Sequence, residues 1–209
     1  MGGCQHNYSE EDHSYIENGK EERTEMTAAQ PSIPADATTR LMARIRDIPD
    51  FPQPGILFRD ITPLLGDAAT LRLSIDLLAA PYRSMAVDYV VGIESRGFLF
   101  GMPLAYELGT GFVPVRKVGK LPHKTLTAEY TLEYGASVVE VHADAIQPGQ
   151  RVVVVDDLLA TGGTAAATVK LMRQLGAEVV GIAFVIELAS LAGRAKLADF
   201  NVQALITYP

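Results

Sequence analysis

One cysteine, Cys4, is all this chain contains, which excludes an internal disulfide framework and a cysteine metal cluster. A reducing compartment suits such a chain, and it is expected to be cytoplasmic. No apolar run approaches the roughly 18 residues of a membrane span. The opening MGGCQHNY lacks the apolar stretch of a secretory signal, and His6 stands where a myristoylation motif wants Ser or Thr. Positive charge is short as well. Eighteen Lys and Arg face 25 Asp and Glu, for a net charge of -7 and a pI near 5.1. General attraction to nucleic acid or to a membrane surface is therefore disfavoured, although a local basic site for phosphates is compatible with this balance.

What is present is enough for one substantial core: 209 residues, 48% of them hydrophobic. Residues 1–38 are polar and charged and offer too little apolar surface to offset ordering entropy. They read as a disordered extension ahead of a single domain over 39–209. From Thr39 a short helix is expected, with Leu41, Ile45 and Ile48 on one face and Pro49 and Pro52 limiting it. Phe51–Pro63 is Pro-rich around an apolar centre and holds Arg59 beside Asp60. It reads as a rigid loop, either a packed connection or part of a site. Beyond it, helical and strand patterns alternate: a helix over Leu71–Ala86, a strand at Tyr89–Ile93, a helix at Phe98–Leu108 and a strand at Phe112–Val115. Strands at Val152–Val155, Val179–Val185 and Val202–Ile206 follow, with a helix over Thr164–Leu175 stopped by Gly176. Repeated βα units of this kind imply a doubly wound, mainly parallel sheet flanked by helices, with ligands at the carboxyl ends of its strands. Pro114 favours a sheet edge or a distorted ladder. Between Lys117 and Val141 the alternation breaks into a basic, Gly-containing stretch and a hairpin around Gly135. So long a polar excursion inside a compact domain is either functional or disordered.

The chain is organised around Arg151–Thr164, RVVVVDDLLATGGT. Four valines form a run apolar on both faces, as in a central parallel strand. Asp156 and Asp157 stand at the expected strand end, and Ala160-Thr161-Gly162-Gly163-Thr164 leads into a helix. N–H groups in such a turn form a nest for an anion, aided by the helix N-terminus. No lysine follows the glycines, which argues against a nucleoside triphosphate loop, and no G-x-G-x-x-G dinucleotide fingerprint is present. Adjacent carboxylates repel each other unless hydroxyls, a cation or water take up their charge, and a sugar diol suits them. Acids and nest together point to a ribose 5-phosphate.

The same stretch resembles the phosphoribosyl pyrophosphate motif of type I phosphoribosyltransferases. Phe51–Pro63, Glu94–Phe98, Lys117–Pro122 and Leu132–Gly135 are similar, in order, to the adenine branch of that family. The resemblance covers about Arg40–Arg194. It implies the type I fold with a small N-terminal hood over the base (39–66) and a flexible lid and hairpin (117–141). It implies transfer of ribose 5-phosphate from phosphoribosyl pyrophosphate to adenine, in purine salvage. A sister activity on xanthine or guanine, or a regulator that binds phosphoribosyl pyrophosphate without transferring it, stands as the alternative. Carried onto this sequence, Ala160, Thr161, Gly162, Gly163 and Thr164 would cradle the 5-phosphate, and Asp156 and Asp157 the ribose hydroxyls. Glu94, Ser95, Arg96 and Gly97, a turn that in the family often contains a cis peptide, would bind pyrophosphate with Lys117 and Lys120. Glu133, Arg96 and Lys117 would be catalytic. Leu57 and Arg59 would read adenine through the main chain, and Phe58 and Leu159 would sandwich its ring. Mg²⁺ is implied, carried mainly by the pyrophosphate and without direct protein ligands, and so is a homodimer.

Overall fold

A computed structural model describes residues 33–132 and 135–209. The first helix, α1 (Ala35–Met42), begins after Pro34, inside the stretch read as a disordered extension. It stops short of Ile45 and Ile48. Arg46–Pro49 is instead a strand, β1, paired antiparallel with β2 (Leu57–Asp60). A single turn, α2 (Thr62–Leu65), leads to α3 (Ala68–Ala79). Asp67 caps α3 by accepting the Thr70 N–H at 2.9 Å, which starts the helix earlier than its apolar periodicity shows. Ala80 still has right-handed helical backbone angles, but Pro81 has no N–H to carry the helical bonding on, so α3 ends well before Ala86.

The remaining chain builds a seven-stranded sheet from β3 (Tyr89–Ile93), β4 (Gly111–Lys117), β5 (Thr125–Leu132), β6 (Gly135–His142), β7 (Arg151–Leu159), β8 (Glu178–Leu188) and β9 (Val202–Tyr208). Their order is β5-β6-β4-β3-β7-β8-β9. Pairings from β4 through β9 are parallel, while β5 and β6 form an antiparallel hairpin on the β4 edge. Pro114 is accommodated because β6 pairs with β4 only at Arg116 and Lys117, so the missing N–H at Pro114 costs no ladder bond on that side.

Strand β7 shows why the four valines read as they do. Val152 and Val154 face one core with Leu171 and Met172 of α5 (Gly163–Gln174). Val153 and Val155 face the other with Leu78 of α3 and Phe100 and Leu104 of α4 (Gly97–Leu108). All four are fully buried. Both faces of the strand are covered, so no alternation appears in its sequence. No helix among the described residues is long and apolar enough to cross a membrane.

Candidate active site

The acid pair lies beside the end of β3 rather than at the end of its own strand. β7 pairs with β3 only as far as Val155, opposite Gly92. It then continues along β8 to Leu159, opposite Glu187. The expectation of a strand ending at Val155 is corrected by the length of β8, whose eleven residues keep β7 extended through both acids. The connections out of β3 and β7 run to opposite sides of the sheet, toward β4 and β8. Neighbouring strands that part in this way open a crevice at their carboxyl ends, the usual ligand position in a doubly wound sheet.

The turn after β3 fills one wall of that crevice. It contains a cis peptide between Glu94 and Ser95, and Arg96 is the residue before α4. Arg96 Nε lies 3.0 Å from Oδ2 of Asp157, whose residue is only 3% exposed. The contact is an ion pair without hydrogen-bond alignment, so this buried oxygen retains an unfilled acceptor. Asp156 Oδ1 accepts the Asp157 main-chain N–H at 2.9 Å. Burial, and next the charge of Asp157, pushes the Asp156 carboxyl well above its usual range. Burial raises Asp157 too, against the pull of Arg96. A carboxyl pair of this kind takes up hydroxyl donors or positive charge readily. Gly97 lets the start of α4 lie flush against the pair. A Cβ there would stand 2.8 Å from Val155 O and 3.0 Å from Asp156 Oδ1.

The opposite wall is the Gly-rich turn. Gly162 takes the left-handed conformation (φ 74°) at the N-cap of α5. The helical bonding begins with Ala166 N–H donating to Gly162 O at 3.0 Å. The N–H groups of Gly163, Thr164 and Ala165 precede that bond and are the donors a helix start leaves for an anion. Ala160, Thr161 and Thr164 are half-buried around them.

The residues expected to touch the base divide. Leu159 is 1% exposed and packs in the core on the α5 side. It has no face to offer a ring, and the expectation for it is corrected: inward and outward positions alternate along β7. Its neighbour Leu158 is half-buried and packs toward the α4 side, as does Leu188. Phe58 is half-buried in β2, with its ring 5.1 Å from Phe51 in an edge contact and the Arg96 guanidinium 5.2 Å away. Leu57 and Arg59 are on β2 of a two-stranded sheet, so one edge of that strand has no strand partner among the described residues. The side chain of Arg59 does not pair with Asp60. It is ion-paired with Asp47 across the hairpin and lies 3.8 Å over the Tyr208 ring.

The stretch expected as a flexible lid is tied down at its base. Glu94 Oε2 accepts from Arg116 Nε and the Lys117 N–H, both at 3.0 Å. Glu140 Oε1 accepts the Lys120 and Leu121 N–H groups at 2.8 and 2.9 Å. Glu94 is thus an anchor for this turn, with Oε2 of its carboxylate taking both donors. The side chains of Lys117 and Lys120 are exposed. Glu133 lies outside the described residues.

A model of the phosphoribosyl transferase domain matches residues 64–206. Adenine phosphoribosyltransferase from Acaryochloris marina is 61% identical over 168 residues, covering 80% of this chain and 99% of the relative. The crystal structure of the Rhodothermus marinus enzyme superposes with a TM-score of 0.81 at 52% identity, covering 84% of this chain and all of that one. The Saccharomyces cerevisiae enzyme, solved with adenine and an imino-altritol bisphosphate, gives 0.78 at 43% identity, covering 82% of this chain and 99% of its own. The chain belongs to the adenine phosphoribosyltransferase family.

Two features of this phosphoribosyltransferase escaped sequence reasoning. One is Tyr208, which steadies the hood through Arg59 from the far end of the chain, where no motif marks it. The other is the segment after β8, Ala189–Leu197, which forms two short 3-10 turns against the Gly-rich loop. Its only written signal is the Gly193-Arg194 pair in an otherwise helix-like run.

Proposed function

We propose that this phosphoribosyltransferase moves the ribose 5-phosphate of phosphoribosyl pyrophosphate onto N9 of adenine, giving AMP and pyrophosphate with inversion at the anomeric carbon. The observation that carries this reading is the Asp157–Arg96 pair at the β3/β7 crevice, facing the N-terminal turn of α5. One wall offers carboxylates to a ribose diol, the other offers N–H donors to its 5-phosphate, and Arg96 brings a planar fork to the departing pyrophosphate. The identity of the base rests on family membership and on Phe58, Leu158 and the edge of β2 that has no strand partner among the described residues, which suit a flat ring with hydrogen-bonding edges.

The transition state has oxocarbenium character, so positioning and stabilisation of the leaving group carry most of the rate. Arg96, Lys117 and Lys120 serve the pyrophosphate, and no covalent nucleophile is needed. Glu133 is assigned the stabilisation of charge, or proton shuttling, near base and ribose. Asp156 and Asp157 are hard oxygen donors, few enough to suit Mg²⁺ that arrives on the substrate and keeps its waters. When bound, Mg²⁺ supplies charge neutralisation to the pyrophosphate oxygens. Leu99, Met102 and Tyr106 make an exposed apolar stripe on α4 at helical spacing, with Tyr106 90% exposed. A second copy of the chain covering that stripe, in a cytoplasmic homodimer, accounts for it.

A radiolabelled adenine assay with phosphoribosyl pyrophosphate and Mg²⁺ tests the reading. AMP formation supports it. Equal or faster turnover of xanthine or guanine would overturn the choice of base, and binding without turnover would make the chain a regulator.

A further inference from the structure

The two 3-10 turns after β8 lie directly behind the phosphate loop, and the contact between them is backbone on backbone. A Cβ added to Gly193 would stand 2.1 Å from Ala160 O, 2.9 Å from Gly162 N and 3.0 Å from Ala160 C. Seen from the other side, a Cβ on Gly162 would stand 2.4 Å from Gly193 O. No side chain fits between the two segments. Ala192, immediately before Gly193, holds the left-handed conformation at φ 50°, which an alanine adopts only when its surroundings impose it.

Two residues on, Arg194 is held by three hydrogen bonds. Its Nε donates to Glu187 Oε1 at 3.0 Å and its Nη2 to Glu187 Oε2 at 2.5 Å. Nη1 donates to the Val202 carbonyl at 2.7 Å, on β9. Glu187 is 7% exposed and sits in register with Leu159, the residue just before the phosphate loop. The links close a ring: Leu159 beside Glu187, Glu187 to Arg194, Gly193 against Ala160 and Gly162. Two-point pairing fixes an arginine in direction as well as position, so the Gly193 backbone is set from a rigid strand.

We propose that Gly193 and the Arg194–Glu187 pair are positioning residues that brace the phosphate loop and hold the Gly162 region in place for the 5-phosphate. The brace touches no substrate and acts through the loop; it rests on the reading of Ala160–Thr164 as the 5-phosphate cradle. Gly193 is not in the left-handed region, so an added methyl there acts through the contact with the loop rather than through its own φ.

The test compares Gly193→Ala and Arg194→Lys with the parent enzyme, using steady-state kinetics, equilibrium binding of AMP and of pyrophosphate alone, and thermal melting. AMP carries the 5-phosphate; pyrophosphate does not. The expected result is a rise of roughly 10- to 100-fold in KM for phosphoribosyl pyrophosphate and in Kd for AMP, the scale of a misplacement near 1 Å. Pyrophosphate affinity and the adenine KM should move less than about threefold. Arg194→Lys keeps the charge but loses the fork, and should show the same split in weaker form. If Gly193→Ala does not fold, Arg194→Lys decides. A third variant, Thr164→Ala within the loop, separates the two ideas. If it shifts AMP binding while the brace variants leave it unchanged, or move AMP and pyrophosphate equally, the brace is wrong. If Thr164→Ala and the brace variants all leave AMP binding alone, the cradle itself has been misplaced.

Discussion

Two glycines with similar positive φ allow the phosphate loop to be probed against an internal control. Gly149 and Gly162 have φ of 84° and 74°. A Cβ on Gly149 would meet nothing within 4 Å, whereas one on Gly162 would meet Gly193 O at 2.4 Å. Replacing either by alanine forces an L-residue into the left-handed region, at about 1–2 kcal/mol. In a chain of this size that lowers Tm by roughly 2–8 °C. Gly149→Ala should stop there, with kinetic constants near those of the parent.

Gly162→Ala carries a further cost. The atom in its way is main chain, so no side chain can swing aside, and the loop or its neighbour must move by about 1 Å to restore ordinary contact. Overpacking of this kind costs about 1–3 kcal/mol. The total becomes about 2–5 kcal/mol, or roughly 4–20 °C in Tm. More telling is where the strain goes: the N–H nest itself shifts, and a shift of 1 Å costs on the order of 100-fold in a positioned reaction. Melting curves and KM for phosphoribosyl pyrophosphate, measured on both variants, check this. Should Gly162→Ala keep the KM of Gly149→Ala, the loop does not hold the substrate's 5-phosphate.

Three other outcomes follow from the same geometry. Because burial and Asp157 raise the Asp156 carboxyl in the folded state, the fold binds more protons than the unfolded chain above the ordinary carboxyl range, and stability falls as pH rises toward the raised value. Asp156→Asn should remove that slope and raise Tm at neutral pH while weakening phosphoribosyl pyrophosphate binding; a variant that melts lower at pH 7 than at pH 5 by as much as the parent refutes the assignment. Leu159→Ala should cost about 2–5 kcal/mol by emptying core volume with little change in adenine KM, whereas Leu158→Ala should raise adenine KM at small cost in stability; the reverse pattern in paired melting and kinetic runs would restore Leu159 as the ring contact. Tyr106→Glu places a charge in the α4 stripe and should shift the protein to half its mass in light scattering, unless the stripe is not the contact between copies.

Much of the site was legible because strand and loop leave strong local marks. Val152–Val155 had to be apolar on both faces, and the Gly-rich turn had to start a helix. What sequence could not show lay in contacts between distant segments. The acids sit inside β7 because β8 is long, a fact about a neighbour. Leu158 and Leu159 are chemically identical, and only the pleat of the strand decides which one packs toward α4 and which toward α5. Glu94 reads as part of the pyrophosphate turn, while its Oε2 accepts from Arg116 and the Lys117 N–H, 22 and 23 residues away. Arg59 and Asp60 are adjacent in sequence but find partners across the hairpin, Asp47 for one and Arg46, at 3.8 Å, for the other. Gly193 marks a break in a helix-like run, but its contact with the phosphate loop leaves no trace in the sequence.

The ion pair at the crevice also sets a condition on binding. Arg96 cannot turn its full fork to a pyrophosphate while its Nε remains 3.0 Å from Asp157. Asp157 is almost fully buried, so a departure of Arg96 without replacement would leave a costly unpaired charge. On the proposed assignment, ribose hydroxyls donating to Asp157 would remove that penalty as the guanidinium is drawn away. With the ribose on Asp157 and the pyrophosphate on Arg96, as proposed, the two halves of the substrate would support each other's binding: the sugar would make the arginine available, and the pyrophosphate would draw it off the acid. Ribose 5-phosphate and pyrophosphate offered separately lack the bond that brings them to the crevice together. Their binding free energies should sum to less than that of phosphoribosyl pyrophosphate, and each should bind more tightly when the other is already present.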